Sequence, residues 1–130
     1  MNKYSYVASL IFAFVGIGTL FTRHYGWYNE YWYTDVILHT VSGIGFGCIW
    51  FGLNKTTHVS YMGILGAISF ATFGSVLWEF WEYAGWHIVP SHARYYIPEL
   101  GDTLSDIFCG LCGGALSPLI TLVFRGIRKK

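Results

Sequence analysis

Four long apolar runs set the terms for everything else this chain can be. They cover Tyr4–Phe21, Val36–Leu53, Tyr61–Ala84 (with room to continue to Val89) and Thr103–Phe124. A helix needs about 20 apolar residues to cross the hydrocarbon core of a bilayer, with some tolerance at the short end. The runs are continuous, rich in Gly, Leu, Ile and Phe, and show no alternation, so they read as helices rather than strands. Backbone groups in lipid must be satisfied within their own segment, which favours the same choice. Only 12% of the 130 residues are charged and 54% are hydrophobic, against about 25% charged in soluble domains. The expected fold is therefore all-α: a four-helix transmembrane bundle forming one integral membrane domain over residues 1–130. Lys3 ahead of an apolar core also fits a signal peptide, but no A-x-A site follows. The first run is therefore expected to remain as a span.

Charge placement gives an orientation. Four spans put both termini on one side, together with Lys3, Lys55, Arg125, Arg128, Lys129 and Lys130. The opposite side holds Arg23 and Arg94. The positive-inside rule then predicts cytoplasmic termini and a multi-pass protein of the cell's inner membrane. The connections 22–35 and 85–101 would face outward. A net charge of +1 gives no basic field for nucleic acid, and none is expected as a partner.

Every acid falls toward the outward half: Glu30, Asp35, Glu79, Glu82, Glu99, Asp102 and Asp106. Aromatic side chains crowd the same end, among them Trp27, Tyr28, Tyr31, Trp32 and Tyr33, then Trp78, Trp81, Tyr83, Trp86, Tyr95 and Tyr96. Amphipathic rings sit well at the headgroup level.

Three spacings then matter. Asp35 and His39 are four apart, Glu79 and Glu82 three apart within "VLWEFWEY", and Asp102 and Asp106 four apart. Side chains at these spacings share a helix face. If the faces converge, five carboxylates and an imidazole meet at one depth. An isolated acid at mid-membrane costs about 2.5–3.5 kcal/mol on insertion scales, so such a cluster calls for a cation or a shared proton. Oxygen ligands with one imidazole suit a divalent metal ion such as Mn, Fe, Zn or Mg. Asp35, His39, Glu79, Asp102 and Asp106 are the expected ligands, and Glu82 the expected ligand or general base. The Glu-x-x-His pattern of di-iron bundles is missing, which leaves the metal open.

Each residue also has a plainer role. Asp35 (or Thr34) can cap the second helix and Asp102 the fourth. Glu99 can be a solvated loop acid, His39 a satisfied bundle histidine, and Glu82 can snorkel to the interface. His87 and His92 suit the surface, and Arg94 can pair with an acid or a phosphate. Cys109 and Cys112 form C-x-x-C within the fourth run, with no cysteine in an outer loop to relay electrons, so packing is the expected role. Gly43/Gly47 and Gly110/Gly114 have the spacing that lets membrane helices approach closely. Pro118 is expected to kink the fourth helix far from the acids.

The order "DVILHTVSG", "WEFWEY", "GDTLSDIFCGLCGGA" resembles the small bacterial membrane proteins called YjdF-like. More distantly, it is similar to the VanZ-like proteins associated with glycopeptide resistance. The resemblance runs from Asp35 to Leu119 and falls on Asp35 and His39, Glu79 and Glu82, Asp102 and Asp106, and Gly113. VanZ-like chains often carry Asn shortly after the last Asp, where this chain has Gly110. The resemblance implies a role in the bacterial envelope and brings no settled activity.

The expected function is thus a small membrane protein with an outward-facing Asp/Glu/His pocket. It would bind a divalent metal and act on a lipid-linked or envelope substrate as a metal-dependent hydrolase or transferase. No serine–histidine–acid order competes with this chemistry. Two alternatives stand beside it: a non-catalytic subunit of a larger membrane complex, and proton or cation translocation. Translocation needs a polar route inward, where the third span offers Ser69, Thr72 and Ser75.

Overall fold

A computed structural model describes residues 2–54, 59–88 and 99–128 and, apart from positions 28, 29 and 124–128, their side chains. Lys55, His92, Arg94, Tyr95, Tyr96, Lys129 and Lys130 lie outside the described residues, as do the side chains of Tyr28, Arg125 and Arg128. The described residues form six helices in order: α1 (Lys3–His24), α2 (Trp27–Glu30), α3 (Tyr33–Leu53), α4 (Tyr61–Ile88), α5 (Leu100–Leu116) and α6 (Pro118–Arg128). There is no strand among the described residues. Among the described residues, four helical stretches are long and apolar enough to cross a membrane: α1, α3, α4 and the α5–α6 stretch Leu100–Val123. The observed spans start or end a few residues beyond the apolar runs, because polar and aromatic flanks such as Tyr33 and Thr34 join the helix.

Lipid as solvent explains the surface. Tyr6, Leu10, Phe14, Ile17 and Leu20 on α1, and Phe73, Leu77 and Phe80 on α4, are all exposed. Apolar surface on this scale is out of place in water and ordinary against acyl chains.

The buried interior is built around α3, which packs against α1, α4 and α5. Its contact with α5 is made through glycine. A Cβ at Gly43 would run into the Gly110 carbonyl, and one at Gly113 into the Thr40 carbonyl. The two backbones touch because neither carries a side chain there. At the far end, Asn2 caps α1 by accepting from the Ser5 amide at 2.8 Å and donates to the Gly52 carbonyl at 2.9 Å. That bond ties the start of α1 to the end of α3, beside the Tyr4–Phe51 ring contact.

Two local features shape the acidic end. Gly26 turns the chain at φ 71° between α1 and α2, a left-handed conformation that glycine adopts without strain. Pro118, which lacks an amide hydrogen, separates α5 from α6 at Ser117. At the proline where a kink is expected, the helix is interrupted at Ser117, at the opposite end from the acids.

Candidate metal centre

The site grows out of the α3–α5 glycine contact. His39 precedes Gly43 by four residues, and Asp106 precedes Gly110 by four. Each side chain therefore stands one turn beyond the closest backbone approach, on the same face as its glycine. On α5 that face reads Asp106, Cys109, Gly110, Gly113, Gly114, all buried. His39 and Asp106 meet as a result: Nε2 of His39 lies 3.7 Å from Oδ2 of Asp106. Asp35, one turn earlier on α3, brings Oδ1 to 3.4 Å from the same nitrogen.

These distances exceed the 2.7–3.2 Å of a good N–H···O bond. Two ligands on a shared ion stand about 3.3–3.6 Å apart for tetrahedral bonds of roughly 2.0–2.2 Å; the Asp35 distance falls in that range and the Asp106 distance just above it. One ligand atom from each of Asp35, His39 and Asp106 lies within 4.8 Å of the others. His39 and Asp106 are buried, and Asp35 is half-buried. The three form a group that could hold a metal ion.

The other expected residues sit around this triad. Glu79, from α4, is 8% exposed, and its Oε1 is buried without a hydrogen-bond partner. Its carboxylate interacts with Thr103 of α5 and feels the charges of His39, Glu82 and Asp102. Asp102 also acts on Asp106. Glu82 lies at the edge of the group: its Oε1 is 3.0 Å from Nη2 of Arg23, and it still senses His39 and Asp35. All six residues of the expected constellation share one end of the bundle. Asp35, His39 and Asp106 form its tight centre, Glu79 and Asp102 its next layer, and Glu82 its rim.

Local structure bears on the plainer roles. The residue that caps α3 is Trp32 and the one that caps α5 is Glu99, neither through a side-chain bond. Asp35 and Asp102 instead stand in the first turns of their helices. There the unsatisfied amides carry positive partial charge. Two helix N-termini thus offset part of the negative charge that the acids gather. Glu99 is exposed, in keeping with a solvated acid. His87 is exposed and its Nδ1 lies 2.8 Å from the Tyr83 carbonyl, away from the triad. Cys48 and Cys109 are buried and free, and Cys112 is half-buried and free, in keeping with packing.

Sequence reasoning missed Arg23 as a member of the site. Its position at the end of the first run, on the acidic side, was the available signal. It also missed a cleft between α1 and α4, floored by α3 and lined by Phe12, Val15, Thr19, His39, Ser42 and Trp78 among others. Helix spacing of this kind cannot be read from periodicity.

The family model described as "Predicted membrane protein (DUF2238)" matches residues 2–127. No curated protein and no solved structure matches the chain. The YjdF-like and VanZ-like resemblances find no counterpart in these comparisons.

Proposed function

The chain belongs to the DUF2238 family of predicted membrane proteins, and from that premise we propose that it is a metal-dependent enzyme of the bacterial envelope acting on a lipid-linked substrate. Membership supplies the bilayer and the four spans supply the multi-pass architecture. The chemistry rests on the site. The observation that carries the proposal is Glu79, whose buried Oε1 lacks a partner beside a triad with the spacing of metal ligands.

A buried carboxylate oxygen without a hydrogen bond is expensive, and several such acids together are more so. A divalent ion resolves both costs at once. Asp35, His39 and Asp106 are its first ligands, and Glu79 and Asp102 complete or support the set. When bound, the ion supplies a Lewis acid for a phosphoryl or carbonyl oxygen, or an activated water. Glu82 stands at the rim as general base, held by Arg23 until a substrate competes for that guanidinium. The positive-inside count and the aromatic belt support an outward-facing site in the inner membrane, with both termini in the cytoplasm.

Translocation is the weaker reading. The hydroxyls of Thr72 and Ser75 donate to the Ile68 and Ala71 carbonyls of their own helix at 2.9 and 3.1 Å. Their protons are thus committed to their own helix rather than to a path toward the cytoplasm.

The test is metal analysis of protein purified in mild detergent, with manganese or zinc supplied. A bound ion that is lost in Asp106→Asn and in His39→Ala, while both variants keep the wild-type helical spectrum, supports the proposal. A metal-free wild type that co-purifies with fixed membrane partners supports a subunit role instead.

A further inference from the structure

We infer that the cleft between α1 and α4 is the seat of one acyl chain of a glycerophospholipid, entered sideways from the bilayer, with its headgroup delivered to the acidic site. For the headgroup this rests on the lipid-linked reading above; for the tail it rests on the cleft itself.

The cleft exists because α1 packs on α3 and makes no comparable face with α4 or α5. A gap of about 240 Å³ is left. All the helices that bound it are membrane spans, so the surrounding medium is hydrocarbon. The gap is partly open rather than an enclosed cavity, and Trp78 in its lining is 40% exposed. An apolar cavity of about 150 Å³ takes a benzene molecule. The larger cleft accordingly has room for on the order of ten carbons at that packing.

Its shape suits a chain with a polar end. The α1 wall is the row Phe12, Val15, Thr19, which spans about 10 Å at 1.5 Å per residue. The row starts among the rings of Phe12 and Phe46, 4.9 Å apart. It ends at Thr19 and His39, one turn short of Arg23. His39 thus lines the cleft and also belongs to the triad. Above the gap, the Arg23–Glu82 pair crosses from α1 to α4 at 3.0 Å. A phosphodiester arriving with its tail in the cleft is an anion beside Arg23, which can exchange Glu82 for it. Glu82 is then released next to the reacting group. Ser42 and Ser75 also line the cleft, but their hydroxyls donate to the His39 and Ala71 carbonyls of their own helices, so a mainly apolar wall, a polar end and a basic rim follow one another in the order of a phospholipid's own parts.

The experiment uses the full chain in vesicles of phosphatidylglycerol carrying a diazirine midway along one acyl chain. Irradiation is followed by peptide mapping of the label. Phe73 and Leu77, exposed on α4, report ordinary lipid contact. Labelling at Val15, Phe46 and Trp78 is expected to exceed that at Phe73 and Leu77 at least threefold. Val15→Trp, which fills the gap, is expected to cut the cleft labelling at least fivefold and leave Phe73 and Leu77 unchanged. If those reference positions shift, the variant has misfolded and the wild-type ratio alone decides. Cleft labelling no greater than the reference, or unmoved by a folded Val15→Trp, overturns the inference. So does uniform labelling by phosphatidylglycerol when a diazirine-bearing polyprenyl phosphate concentrates in the cleft. Metal is assayed in the same samples. A labelled cleft in protein that holds no zinc or manganese sinks the metal reading and leaves the tail seat standing. Uniform labelling in protein that holds metal does the reverse.

Discussion

His39 and Asp106 face each other at 3.7 Å, each one turn from a glycine at which the backbones of α3 and α5 touch. Packing and chemistry are joined at that point. The contact that lets two membrane helices approach also sets the distance between two candidate ligands.

Gly43 is accordingly a test of both. Gly43→Ala places a methyl against the Gly110 carbonyl. The helices must move apart or strain, at about 1–3 kcal/mol, the usual cost of overpacking. Bound metal should fall with it, because His39 and Asp106 separate. Gly16→Ala, where the methyl meets nothing within 4 Å, should leave stability and metal content near wild type. Unfolding in mixed detergent micelles, read by circular dichroism, checks the first expectation, and metal analysis of the same samples checks the second.

Glu79→Gln separates a metal site from a purely structural acid. The amide removes the negative charge and keeps nearly the same shape. The metal-free variant should be as stable as wild type or more so, since one buried charge among several is gone. Metal affinity should fall at least tenfold. Thermal unfolding with and without zinc measures the two effects. A Glu79→Gln protein that unfolds earlier in both conditions would show that the acid serves the fold alone.

The Arg23–Glu82 pair should matter little to stability. Their side chains are 34% and 21% exposed, and such pairs contribute about 0–1 kcal/mol. A double-mutant cycle with Arg23→Ala and Glu82→Ala should return a coupling energy inside that range. If the pair guards the mouth of the α1–α4 cleft, the same substitutions should change lipid labelling there more than they change unfolding.

Orientation can be tested at two positions. Glu30 and Asn54 are both exposed and flank α3, Glu30 at the end of α2 just before it and Asn54 as its C-cap. Glu30→Cys should react with a membrane-impermeant maleimide added outside intact cells, and Asn54→Cys only after lysis. The native cysteines lie within the spans and give a low background. The reverse pattern would put the acidic end in the cytoplasm.

Much of this arrangement could be read from the residues, for physical reasons that differ by element. The spans are legible because lipid demands long unbroken apolar runs. The three acid pairs are legible because helical spacing fixes which side chains share a face. The pairing of α3 with α5 is foreshadowed by Gly43 and Gly110, which only close packing rewards. What the sequence did not disclose depends on how whole helices sit. Arg23 could reach Glu82 only because α1 stands beside α4 at that end, and the cleft is a space between helices rather than a property of either. Asp35 read equally well as a helix cap. In the fold it stands inside the first turn of α3 and reaches His39, because the helix starts at Tyr33.

The most direct measurement is the zinc or manganese content per chain of wild-type protein, beside Asp35→Asn, His39→Ala and Asp106→Asn, after equilibrium dialysis at neutral pH. One ion per wild-type chain is expected, with each variant binding at least tenfold more weakly and all binding falling on acidification as the ligands take up protons. A wild-type chain that binds no more metal than the three variants would contradict the account.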